Sequence, residues 1–447
     1  MAQSLSRAVD RVKRAPLQLP GILDAALVER AFADGGHDWR DRTLGPGQTI
    51  ELFLRQVTAG NASCGWVSHA GGGAFTPGAY CQARAGLPLE ATWALCRLVS
   101  QQMLAEHSPR GDGPGDDGRR GEGDHVRRWR GLRPWYVDGT TFSMPDTPEL
   151  QEAFGQPGCQ KPGLGFPAAH LLVGFDAVTG MLLDAVPAPL RTHDLADVQH
   201  LHPHLSEGDV LVGDKAFGSW AHLALLLKSG VHGLFSLHQH RKVPAGERAF
   251  DRIEHWSKPP SKPPWLDQEP FDALPATMAV RVVRRRVPHS RGRGFRPLLV
   301  TLVTTLLDKT RYPADELVEL GGGRWSAELN IRHLKTTLGL ETLKCKTKDG
   351  VLKELAVFCL MYNLVRAVML KAAARQQVAV ERISFADALA WLRCTGVDAE
   401  LWRLIVNPKR TRRAEPRALK RRPKPYPLLT RPREEERKRL ENEARAD

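Results

Sequence analysis

Residues 209–228 read D-V-L-V-G-D-K-A-F-G-S-W-A-H-L-A-L-L-L-K. The run from Asp209 to Gly213 has the length and composition of a short buried strand, and Asp214 ends it on an acid. The stretch 219–228 then reads as a helix. A strand, an acid at its end and a following helix indicate an α/β fold.

Strand signals also lie on either side. R-P-W-Y-V-D-G-T-T-F-S-M (133–144) is aromatic and β-branched, and Asp138-Gly139 predicts a turn there or just after it. Residues 168–186 predict two strands around a turn near Thr179-Gly180. Residues 230–306 place Pro-rich loops between β-like runs at 278–283 and 298–303. The first 106 residues carry helical periodicity at 51–57 and 90–99, with a Gly-, Ser- and Asn-rich loop between. Residues 108–124 are polar and Gly-rich and read as a flexible linker. Helix is predicted again from about 313 to 373, and 409–424 form a basic, Pro-broken tail, either solvated or gripping phosphate.

Lys and Arg number 64 against 50 Asp and Glu, a formal charge of +14 over 447 residues. That surplus points to a polyanion, bound through phosphate neutralisation and counterion release. No apolar run of membrane-spanning length is read from the sequence, and no secretory h-region follows Met1, so the expected location is cytoplasmic. The seven cysteines are scattered without a C-x-x-C pair and are expected to be reduced thiols. The histidines at 200–204 and 238–240 lack metal-ligand spacing and are expected to be ordinary surface residues.

Residues 324–335 read R-W-S-A-E-L-N-I-R-H-L-K. On a helix Arg324, Glu328, Arg332 and Lys335 share one side. This is either a solvated face of weak i,i+4 ion pairs or a metal-binding carboxylate flanked by phosphate-holding cations. Asp138 and Asp214 each follow a strand-like run, so strand ends and a packed helix could bring the three acids together. Each has a plainer reading: a turn for Asp138, a helix cap for Asp214, an ion pair for Glu328. Three converging carboxylates would suit Mg²⁺ or Mn²⁺. A pair of such ions activates the nucleophile and stabilises the leaving oxygen of a phosphodiester.

These stretches resemble the DDE transposases of bacterial insertion sequences, in the insertion-sequence-four branch marked by Y-x2-R-x3-E-x6-K. Arg324, Glu328 and Lys335 fit three of the four signature positions. V-D-G-T-T-F-S-M-P-D-T-P carries the first acid and G-D-K-A-F-G-S the second. L-F-L-R-Q-V-T-A-G-N-A-S-C (52–64), Y-C-Q-A-R (80–84), H-L-K-T-T-L-G-L-E (333–341) and Y-N-L-V-R-A-V-M (362–369) are also similar.

The resemblance implies an RNase H-like catalytic core in two parts, 131–229 and 307–375, with Asp138, Asp214 and Glu328 as catalytic metal ligands. A β-rich insertion would occupy 230–306. A helical region, 1–106, would bind transposon-end DNA across a linker at 107–130, and a helical, basic C-terminal region, 376–447, would support assembly. The implied activity is metal-dependent cleavage and strand transfer in cut-and-paste transposition, with two Mg²⁺ or Mn²⁺ ions and with Arg324 and Lys335 on DNA phosphates. Implied partners are double-stranded DNA, as terminal inverted repeats and target, and a second copy of the chain. The implied setting is the bacterial nucleoid. The alternatives are an RNase H-like nuclease without strand transfer and a catalytically impaired, transposase-derived DNA-binding protein.

The chain departs from the family pattern at two places. Gly321 stands at the signature Tyr position, inside G-G-G-R-W, and Lys215 follows the second acid where Arg is common. The three glycines predict a helix that begins late or frays before Glu328. Gly321→Tyr is expected to restore a phosphate contact and raise cleavage.

Overall fold

The structure is a computed structural model describing residues 23, 25–33, 44–107, 129–158, 160–161, 163–192, 194–241, 249–287, 298–394, 401, 403–408 and 431–446. The linker at 108–124 and the basic stretch at 409–424 lie outside the described residues. Helices α1 (Ala25–Ala33), α2 (Pro46–Thr58), α3 (Cys64–Ala70), α4 (Pro77–Ala85) and α5 (Leu89–Glu106) come first. The sequence suggested a loop where α3 and α4 stand. The hydroxyls of Ser63 and Thr76 cap them, accepting from Trp66 N and Ala79 N, and local capping outweighs the glycine content.

Eight strands form one mixed sheet: β1 (Arg133–Ser143), β2 (Ala168–Asp176), β3 (Leu182–Pro189), β4 (Asp209–Gly213), β5 (His232–Ser236), β6 (Phe250–Ser257), β7 (Thr277–Val287) and β8 (Leu298–Thr304). Their order is β3-β2-β1-β4-β5-β8-β7-β6. β1 pairs antiparallel with β2 and parallel with β4, and β4 is parallel to β5. β8, β7 and β6 extend the same sheet antiparallel beyond β5.

β1 is continuous through Asp138-Gly139, contrary to the predicted turn: Asp138 pairs with Val173 and Gly139 with Leu172. Pairing with β2 gives those backbone groups partners that an isolated Asp-Gly lacks. The turn near Thr179-Gly180 is present, with Gly180 at φ +67°.

The later helices are α6 (Pro148–Phe154), α7 (Asp194–Val198), α8 (Trp220–Lys228), α9 (Gln268–Asp272), α10 (Ala314–Gly323), α11 (Trp325–Arg332), α12 (Lys348–Gln376), α13 (Phe385–Cys394) and α14 (Arg433–Ala446). The expected long helix over 313–373 is thus broken. A π-helical turn at His333–Thr337 follows α11, Gly339 takes φ +96°, and the Thr347 side chain caps α12. Helix α14 lies within the C-terminal region, 376–447, that the resemblance implies is helical. It is held by Arg433, whose Nε lies 2.8 Å from Asp146 and whose Nη1 donates to Gly165 O at 2.9 Å.

Helix α12 is long and apolar enough to cross a membrane by length and composition, which the sequence reading did not register. In this fold 94% of its apolar window is buried inside the protein. α2, α5 and α13 pack around it, and one apolar cluster runs from α1 through α5 to α12 and the near face of the sheet. Trp135, Val137, Leu211 and α8 form a second cluster on the opposite face.

The histidine expectation fails for His202. Its ring is half-buried, and its Nε2 lies 3.1 Å from Nε2 of buried His222. Burial presses His202 down to about 4 and His222 to about 3. The described cysteines are free thiols.

Candidate active site

The site begins with strand register. Arg133 opens β1 and Asp209 opens β4, and the two form a bidentate pair with both N···O distances at 2.7 Å. The parallel register continues to Tyr136 opposite Val212. Two residues further on each chain stands an acid, Asp138 and Asp214. Side chains two apart on a strand share a face, and adjacent strands lie about 4.8 Å apart, so these acids are neighbours on one face. Tyr136, Val210 and Val212 place that face against the cluster containing α11, which packs on β1 and carries Glu328.

Arg324 joins two of the three acids. Its Nη1 donates to Asp138 Oδ2 and its Nη2 to Glu328 Oε1, each at 3.2 Å. Asp214 Oδ1 accepts from Ala216 N at 2.7 Å, so it caps a single turn at Lys215–Phe217 rather than the helix α8. Burial raises the Asp138 carboxyl above its ordinary value. The Arg324 charge and the Gly139 N–H pull it back, while the negative charges of Glu328 and Asp214 push it further up. Asp138 therefore senses both of the other acids electrostatically.

An all-oxygen set of this kind matches hard divalent cations. Among the described residues no group of three His, Cys, Asp or Glu side chains already encloses a metal-sized position. Instead the guanidinium lies between two of the acids. Lys335 sits in the π-helical turn, half-buried, and among the described residues makes no ion pair. Lys215 donates to Gln239 Oε1 at 3.2 Å.

The helix bearing Glu328 begins late, at Trp325 after the three glycines, while the glycines themselves do not fray. They end α10, and Arg324 links it to α11 in right-handed helical geometry, φ −51° and ψ −28°. A Cβ on Gly321 would meet Leu302 Cδ1 at 3.1 Å, and one on Gly323 would overlap the Tyr136 hydroxyl. Tyr136 donates to Leu320 O at 3.2 Å, so an aromatic ring from β1 fills the space at the end of α10. In the sequence Tyr136 stands out only as a strand residue. Its partner, a glycine 187 positions on, has no local signal.

Residues 131–364 match the family model described as a transposase DDE domain, more than half of the chain. The chain belongs to the transposase DDE domain family. This transposase is 26% identical over 328 residues to the transposase InsG for insertion sequence element IS4 of Escherichia coli (strain K12), covering 67% of this chain and 70% of that one. It is also 26% identical over 189 residues to the putative transposase InsZ of the same organism, covering 41% of this chain and 56% of the relative. A cryo-EM structure of the piggyBac transposase synaptic complex with hairpin DNA aligns over 83% of this chain and 77% of that one. Its TM-score is 0.41 and its identity 10%.

Proposed function

We propose that Asp138, Asp214 and Glu328 are the three acids of this transposase, holding two Mg²⁺ or Mn²⁺ ions for cleavage and strand transfer at the ends of its own element. The observation that carries the reading is electrostatic. Two carboxylates share one sheet face and a helix packed on it carries the third, with Asp138 raised by burial and by the other two, an imbalance that bound cations would relieve. An RNase H-like core is the finer reading of the sheet. The order β3-β2-β1-β4-β5, with β2 antiparallel and β4 and β5 parallel to β1, supports it. In this reading β6–β8 are the insertion between the second and third acids.

When bound, the ions stabilise negative charge on the attacking and leaving oxygens. The chain itself supplies position and counter-charge. β1 and β4 fix two acids relative to each other, and α11 presents the third. Arg324, once freed from its two carboxylates, would contact a backbone phosphate, and Lys335 would contact a second. Hydrolysis leaves a 3′-hydroxyl on the element and a 5′-phosphate on the flank. That hydroxyl then attacks a target phosphodiester and displaces its 3′-oxygen.

The helices before β1 bind the terminal inverted repeats, and the C-terminal region supports a homodimeric end complex on the bacterial nucleoid. Asp138→Ala, Asp214→Ala and Glu328→Ala are each expected to abolish strand cleavage while largely sparing binding of end DNA. Near-normal cleavage by any one removes that residue from the site. Joining of cleaved ends to a target plasmid separates transposition from simple nuclease action.

A further inference from the structure

The stretch Y-N-L-V-R (362–366) lies on α12, and the three acids leave its polar side chains without a role. Tyr362 donates from its hydroxyl to Gly180 O at 2.9 Å. Asn363 accepts from Leu182 N and donates to Leu182 O, each at 2.9 Å. Arg366 donates from Nη2 to Thr179 O. All three clamp the β2–β3 turn, which accounts fully for Tyr362 and Asn363.

It does not account for Arg366, which is 5% exposed. Its Nε has no partner, and among the described residues no carboxylate pairs with it. One neutral carbonyl is weak compensation for a buried guanidinium, which ordinarily requires an anion. The side chain lines a cavity of about 210 Å³ that also contains Ser326, Asn330, His333, Thr337 and Ser384, donors from α11, the π-helical turn and the α13 cap. Among its described lining residues Glu381 is the carboxylate, and it is exposed to solvent. His333 stacks on Phe385 with ring centroids 4.4 Å apart. Burial and the charges of Arg366 and Arg332 press it down to about 4, so near neutral pH one imidazole N–H and no second cation stand there.

We infer that this cavity binds a phosphate group, with Arg366 as its counter-ion and the surrounding hydroxyl and amide groups as further donors. A tetrahedral anion and a few waters fit the volume. Ser326 and Asn330 each stand two positions from Glu328, about 200° around α11, so the cavity lies behind the helix rather than among the acids. The inference goes beyond the proposed function and does not depend on which acids hold metal. The phosphate can come from the DNA backbone or from free phosphate.

The test uses the full-length, metal-free protein, titrated with inorganic phosphate at ionic strength held constant with chloride. Saturable broadening of the phosphorus resonance and a matching rise in melting temperature are expected. Asn330→Asp places a carboxylate in the cavity with Arg366. Arg366→Gln keeps a donor for Thr179 O but removes the charge. Each is expected to weaken phosphate binding about tenfold or more. If the Gln variant fails to fold, Asn330→Asp alone decides. Absence of saturable binding in the wild type, or wild-type binding by the folded variants, overturns the inference. Given saturable, variant-sensitive binding, end-sequence duplex that displaces the phosphate identifies the DNA backbone as the source. Simultaneous binding of both identifies free phosphate. Either outcome upholds the site.

Discussion

Arg324 is the residue on which the acid cluster depends while no cation is bound. Its charge opposes the upward push of burial on Asp138. Arg324→Gln removes that opposition, so the carboxyl titrates at higher pH, and the ionised form is the one able to hold a cation. The Asp138 carboxyl resonance, titrated in the metal-free protein, is expected to reach its midpoint at higher pH in this variant than in the wild type. The glycines beside it invite the reverse of the sequence expectation. A side chain at 321 starts towards Leu302, not towards the acids, so Gly321→Tyr is expected to cost about 1–3 kcal/mol of stability without raising cleavage. Gly323→Ala is expected to cost a similar ~1–3 kcal/mol, because the Tyr136 ring must shift. Chemical denaturation of both variants checks the magnitudes. Asp214 after a strand and Glu328 on a helix were legible in the sequence, whereas Asp138, expected at a strand end, lies inside β1. The reason for the glycines was not legible, since it lies in the contacts with Tyr136 and Leu302.

At the scale of elements, the extension of the sheet is held by an arginine that no pattern marked. Arg281 on β7 is fully buried, donates to Asp251 on β6 at 2.8 and 2.7 Å, and reaches Tyr312 O at 2.7 Å. In the sequence it sits inside M-A-V-R-V-V, where alternation predicts strand but not which face is covered. Asp251→Ala leaves that guanidinium unpaired and is expected to destabilise the protein by about 3–5 kcal/mol in denaturant melts. The Arg281 hydrogen bonds hold the Asp251 carboxyl below its ordinary value. Its contribution is therefore complete above the unfolded carboxyl value of about 4 and is lost as pH falls through the lower folded value. Acid melts of Asp251→Asn should lack that part of the pH dependence. The strands β1–β4, β7 and β8 were legible as short aromatic, β-branched or apolar runs, whereas β5 and β6 carried no run that stood out in the sequence. The breaks after α11 were not legible, because a π-helical turn has the same apolar spacing as a helix over so few residues.

For the whole molecule, charge and connectivity act together. The +14 surplus predicts end binding that weakens steeply with salt, and deletion of residues 408–447 is expected to lower the log–log slope. An unchanged slope would make that segment a bystander. The same deletion removes Arg433 from Asp146, so folding must be verified in parallel. The fully buried carboxylate of Glu354 in α12 joins the regions on either side of the linker. It accepts from Asn61 Nδ2, from Lys344 N at 2.9 Å and from Cys345 N at 2.8 Å. Composition indicated a flexible linker after the N-terminal helical region, but the sequence had no means of showing this junction, whose members lie nearly 300 positions apart. The junction constrains how such proteins can be recombined. A chimaera that takes its first hundred residues from a relative inherits a new neighbour for Glu354. Unless that donor supplies an amide at the place of Asn61, the hybrid begins with a mismatched seam, and swapping end-recognition regions between elements would require changing both sides of it together.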